Sequence, residues 1–125
     1  MPTREVASTS QPMSFDQFWS WVQSHPNCIL RLGTIDSIVY DHEDHHWRFG
    51  VEQKGTAYVQ MVRGKRIISE VLINPNEITY VSHEAGETGE EYFFDLHDES
   101  HRVLFYFVLS HGTDEEEEPA ANQWN

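Results

Sequence analysis

Residues 46–73 read HWRFGVEQKGTAYVQMVRGKRIISEVLI, and the period of this stretch decides the fold. Trp47, Phe49 and Val51 fall on one side of an alternation whose other side is His46, Arg48, Gly50 and Glu52. That is the pattern of a strand with one face in a core. Lys54-Gly55 and Arg63-Gly64 read as tight turns, so residues 56–62 and 65–73 form the next two strands of an antiparallel meander.

Moving toward the C-terminus, Asn74-Pro75-Asn76 breaks the pattern, since proline cannot donate to a strand ladder. Further strands are expected over 78–83, 91–96 and 102–109, separated by an acidic loop at 84–90 and a polar turn at 97–101. In the last strand Val103, Phe105, Phe107 and Leu109 alternate with Leu104, Tyr106 and Val108. Both faces are apolar, which places that strand in the middle of a sheet or between two layers. Toward the N-terminus, residues 28–40 read as one long strand whose alternation slips near Gly33, the mark of a bulge or bend.

One helix precedes the strands. Ser14 and Gln17 have capping-box spacing, and Met13 and Phe18 that of a hydrophobic staple. Phe15, Phe18, Trp19 and Val22 make a single apolar stripe, Asp16 suits the positive end of the helix dipole, and Pro26 stops the run. The sum is an α+β fold: one N-terminal helix packed on a strongly twisted antiparallel meander of six or seven strands, compatible with partial closure into a barrel. This single domain spans 13–112. Residues 1–12 and the acidic tail 113–125 lack apolar periodicity and are expected to be disordered.

Charge narrows the function. With 21 Asp+Glu against 8 Lys+Arg in 125 residues, the formal net charge is -13, which disfavours nucleic acid and anionic membrane and favours a protein partner with a basic surface. Yet Arg48, Lys54, Arg63, Lys65 and Arg66, five of the eight bases, share a nineteen-residue window with one acid, Glu52. With Tyr58 on the intervening strand, they form a candidate partner-binding patch for a phosphate, a carboxylate or an acidic segment. The run at 114–118 is one candidate occupant. Trp21, on the expected outer helix face, joins the patch residues because exposed tryptophans are enriched at interfaces.

Metal chemistry has its own candidates. His42, His45 and His46 sit among acids at 41–46, and His97 and His101 flank Asp98 and Glu99. These are ordinary ligand types without a recognised spacing, and solvated polar turns account for them more simply. Two such loops would make a composite site only if they met at one end of the sheet. No nucleophile motif or nucleotide cradle stands out, Cys28 has no assignable base, and no cofactor is expected. A lone cysteine, no apolar leader in the first dozen residues and no long apolar run point to the cytoplasm.

The expected function is therefore a small acidic non-catalytic protein-binding module, adaptor-, chaperone- or immunity-like in character, acting on a basic partner surface. The rivals are a metal-binding protein built on 41–46 and 97–101, and a small-ligand domain with an apolar pocket lined by Trp47, Phe94 and Phe105.

Overall fold

The computed structural model describes residues 11–112. The disorder expected of the acidic tail, and of all but the last two residues of 1–12, lies outside that span. Helix α1 (Phe15–Gln23) and a 3-10 turn (Pro26–Cys28) precede eight strands: β1 (Ile29–Gly33), β2 (Ile38–Tyr40), β3 (His46–Val51), β4 (Ala57–Arg63), β5 (Arg66–Ile73), β6 (Tyr80–Ala85), β7 (Tyr92–His97) and β8 (Val103–Leu109). A second 3-10 turn, Pro75–Glu77, lies between β5 and β6. The α+β class holds, with two antiparallel sheets that do not close into a barrel.

The start of α1 forms as its sequence dictates. Ser14 Oγ accepts from the Gln17 N–H at 3.1 Å while Gln17 Oε1 accepts from the Ser14 N–H at 2.9 Å. Just ahead of the cap, Met13 exchanges two backbone hydrogen bonds with Val81 (2.9 and 2.8 Å), so the entering chain partly covers the edge of β6.

The meander is not continuous, and the described residues form eight strands rather than six or seven. Residues 28–40 break into a hairpin because the Thr34 side chain intervenes. Its Oγ1 accepts from the N–H groups of Asp36 and Ser37, and the Thr34 N–H bonds Ser37 O at 2.8 Å. A local hydroxyl thus outcompetes the ladder. The five-stranded sheet runs β2-β1-β8-β7-β6, and β3-β4-β5 form a separate three-stranded sheet. Strand β8 is central, as its two apolar faces require, and it sits between β1 and β7.

The two sheets share one core through α1. Phe18 meets Phe94 and Phe107 of the larger sheet, with ring centroids 5.3 and 5.1 Å apart. Trp19 meets Phe49 of the smaller sheet edge-on at 5.5 Å. Phe18 and Val22 are fully buried, and Phe15 and Trp19 nearly so. Ala57, Val59, Met61, Val71 and Ile73 complete the core from the smaller sheet. Val51, expected to point inward, is 57% exposed because its pair with Ala57 is the last before the β3–β4 turn.

Phe18→Ala should lower unfolding stability by about 3–5 kcal/mol, since a buried aromatic leaves a cavity that only partly collapses. Ser20→Ala, on the exposed side of the same helix, should change it by about 0.5 kcal/mol or less. Urea unfolding of the two variants checks both. Equal small effects would mean that the helix stripe does not face the core.

Candidate functional site

The outer face of the three-stranded sheet is the surface best defined by the strand registers. Three transverse rows cross it: Gly50–Tyr58–Leu72, Arg48–Gln60–Glu70 and His46–Val62–Ile67. In the first row the Tyr58 ring lies over Gly50, where any Cβ would strike it. Glycine is required there because a neighbouring aromatic occupies the side-chain position.

The second row is a polar ladder. Arg48 donates from Nε and Nη2 to Gln60 Oε1 at 2.9 and 2.7 Å, and Gln60 Nε2 donates to Glu70 Oε2 at 2.7 Å. The Gln60 amide thus has a cation at its oxygen and an anion at its nitrogen, the orientation in which its dipole is favourable at both ends. It is buried at 7% exposure although it lies on the outer face.

The remaining surface is unusually apolar for an edge. Between Met61↔Ser69 and Val62↔Ile67 the register shifts by one residue, leaving Ile68 as the extra residue of a bulge. Ile67, Ile68 and Leu72 are 52%, 44% and 50% exposed on this edge strand. At one end, Arg63, Lys65 and Arg66 are exposed around Gly64, whose φ of 62° fits a tight turn. Among the described residues no carboxylate makes an ion pair with these three bases.

The patch read from sequence is only partly assembled. Arg48 and Tyr58 share the outer face, and Arg63, Lys65 and Arg66 crowd one end. Lys54 lies in the β3–β4 turn at the other end, about 20 Å away along a seven-residue strand. Trp21 belongs elsewhere and is half-buried rather than displayed. It stacks between His25 and Phe94 with centroids 4.2 and 5.2 Å away, and His111 meets it edge-on. The reason is that α1 lies against β7, so the position beside the apolar stripe is also covered. The base missing from the sequence reading of Cys28 is found here as well, with His111 Nε2 3.7 Å from its Sγ.

The two histidine clusters do not meet. Asp41 bonds back to Leu30 at the β1 end next to the 3-10 turn, whereas residues 97–102 join β7 to β8 at the opposite end of the five-stranded sheet. His42 and His45 stack at 4.5 Å beside a hollow of 290 Å³ that reaches Pro26 and Trp47, and His46 lies at the start of β3. His97 Nε2 pairs with Ser82 Oγ at 2.8 Å, and His101 Nδ1 with Tyr80 Oη at 3.0 Å. Among the described residues, no three His, Cys, Asp or Glu side chains are grouped to hold a metal ion. The aromatics proposed to line an apolar pocket are also separated. Phe94 is fully buried in the core, Trp47 borders the 290 Å³ hollow, and Phe105 borders a different one of 340 Å³.

Asp98 organises the β7–β8 turn. Oδ1 accepts from the N–H groups of Ser100 (2.8 Å) and Arg102 (3.0 Å), and Oδ2 from Arg102 Nε and Nη2 (2.9 and 2.8 Å). Burial alone would raise its pKa, but the Arg102 N–H and guanidinium and the Ser100 N–H together hold it below the ordinary value of 3.8. The sequence signal was present in the D-x-S-x-R spacing, a carboxylate placed to cap its own turn.

The chain matches no family model, no curated protein and no solved structure. Among the described residues no helix is long and apolar enough to cross a membrane.

Gln60→Leu keeps the side chain's approximate size but strips Arg48 and Glu70 of their shared partner, and should cost about 1–2 kcal/mol in urea unfolding. Asp98→Asn tests the turn. A carboxyl with a lowered folded pKa contributes stability that is present above the unfolded value of 3.8 and lost as pH falls through the folded value. Wild type should therefore exceed the variant in stability at neutral pH, with the difference shrinking as pH falls below 3.8. A difference constant over that range would remove Asp98 ionisation as its cause.

Proposed function

We propose that this chain is a non-catalytic protein-binding module that docks its partner on the outer face of β3–β4–β5 and on the basic turn at 63–66. The observation that supports this reading is the pairing of three half-exposed aliphatic side chains on an edge strand with three cations that no described carboxylate neutralises. Exposed apolar clusters rimmed by charge mark interaction sites. A partner segment of acidic and apolar residues fits this surface.

The reverse polarity, an acidic body meeting a basic partner, draws on the net charge of -13 and on exposed Glu87 and Glu90 at the β6–β7 turn. The two readings predict opposite signs. In the first, reversing Arg63, Lys65 and Arg66 to Glu weakens a captured partner at least tenfold, and Leu72→Glu does the same with little change in unfolding stability. In the second, those reversals are neutral or strengthen binding, while Glu87→Gln with Glu90→Gln slows association, because exposed charges act mainly through steering. A titration of one purified partner at about 50 and 500 mM salt, where the screening length falls from above ten to a few ångströms, separates them. Retained affinity in the Leu72→Glu and triple-reversal proteins would overturn the docking surface.

A further inference from the structure

We propose that Ser82 is a nucleophilic hydroxyl that accepts one acyl group from an activated ester, with His97 as its base. The site lies on the outer face of the five-stranded sheet. It goes beyond the docking surface on the smaller sheet, does not depend on it, and asks for a single transfer rather than turnover.

The sheet brings the pair together. Val81, Phe94 and Leu96 are fully buried, so the alternation of β6 and β7 turns Tyr80, Ser82, Asp95 and His97 to the opposite face. Tyr80 is paired with His97 and Ser82 with Asp95, which makes Ser82 and His97 diagonal neighbours across the two strands. Ser82 Oγ lies 2.8 Å from His97 Nε2, and His97 Nδ1 lies 3.1 Å from the His101 carbonyl oxygen. A carbonyl only accepts, so Nδ1 carries the proton of the neutral ring and Nε2 is left as the acceptor. The Ser82 hydroxyl must then donate to Nε2. That is the hydrogen bond through which an imidazole takes the proton of a nucleophile, with a third group orienting the base.

The imidazole is held in place from two sides. Tyr80 stacks on it nearly parallel, with centroids 4.4 Å apart and planes 8° from each other, and Tyr80 Oη pairs with His101 Nδ1 at 3.0 Å. His101 has a φ of 70°, in the left-handed region that residues other than glycine seldom adopt. Its N–H donates to Asp98 O at 2.9 Å, and the Asp98 carboxylate fixes the next N–H groups of the turn. Strain is thus stored at the residue whose carbonyl orients His97.

Room for an acyl chain lies alongside. Asp95, opposite Ser82, and Val103, opposite His97, line a hollow of 350 Å³ together with Phe93, Tyr106 and Arg31. In the step, Ser82 Oγ bonds to the carbonyl carbon of the ester and its proton passes to His97 Nε2. The bond from that carbon to the leaving oxygen breaks, and the proton departs with the alcohol.

The test incubates the full chain with p-nitrophenyl acetate or p-nitrophenyl hexanoate. Nitrophenolate release is followed by absorbance, and the acylated position by mass spectrometry of the digested protein. One equivalent should be released, the acyl group should sit on Ser82, and the hexanoate should react faster. His97→Gln keeps a hydrogen-bonding partner for Ser82 and should slow the labelling by about a hundredfold or more, with urea unfolding reporting that the variant is folded. Ser82→Ala should lose the released equivalent, a second check that does not rely on His97. Val103→Trp should fill the hollow and slow the hexanoate while sparing the acetate. Acyl groups on lysines with Ser82 unmodified would overturn the proposal, as would equal labelling of Ser82 in folded His97→Gln. Release continuing past one equivalent, above the level of Ser82→Ala, would overturn the single transfer. Equal rates for the two esters would remove the hollow as the acyl site.

Discussion

Phe18 sits against Phe94 and Phe107, and its neighbour Trp19 against Phe49. Everything else in the structure depends on that pair of contacts. A three-stranded sheet of about twenty residues has too little apolar area to stand alone in water, and the five-stranded sheet has one face that needs a cover. One nine-residue helix serves both. Its consecutive aromatics diverge by about 100° around the axis, so one reaches each sheet. The cap that starts the helix and the Met13–Val81 bridge that anchors it therefore matter beyond their own hydrogen bonds, because they fix which aromatic meets which sheet.

The division of labour among the sheets follows from this. With its inner face committed to α1 and the shared core, the smaller sheet has only its outer face and the β5 edge left. The larger sheet is better closed: Met13 bonds to the β6 edge, and Tyr106 lies across Gly33 much as Tyr58 lies across Gly50. Exposed aliphatic residues concentrate accordingly on β5, with Ile35 and Ile38 forming a smaller exposed group around the β1–β2 turn.

Period and punctuation were enough to read the helix with its cap, the hairpins β3–β4–β5 and the central position of the last strand. Each depends on neighbours within a few residues. Pairing at a distance was out of reach, because a period of two reports which face a side chain takes and nothing about the strand beside it. Hence β8 beside β1, the break between the sheets and the Cys28–His111 contact were invisible, and Trp21 was misplaced because the depth to which a helix sinks is set by the element it meets. The proposed docking face was half legible. The basic cluster showed in composition, whereas the outward placement of Ile67 did not, since the bulge at Ile68 changes the face of the residues before it.

That bulge and the polar ladder also work against such a face pairing with its own copies. The Arg48–Gln60–Glu70 row cuts the apolar surface into two pieces, Tyr58 with Leu72 on one side and Val62 with Ile67 on the other. The bulge bends the edge out of the straight geometry that strand addition needs, and the turn cations of two copies would repel where the edges approach. On the docking surface proposed above, a partner would have to bring both an anion for the turn and apolar groups on either side of the ladder. On that proposal, hydrophobic contact alone would give it too little, and so would charge alone, which is how a small face of ordinary residues would acquire selectivity.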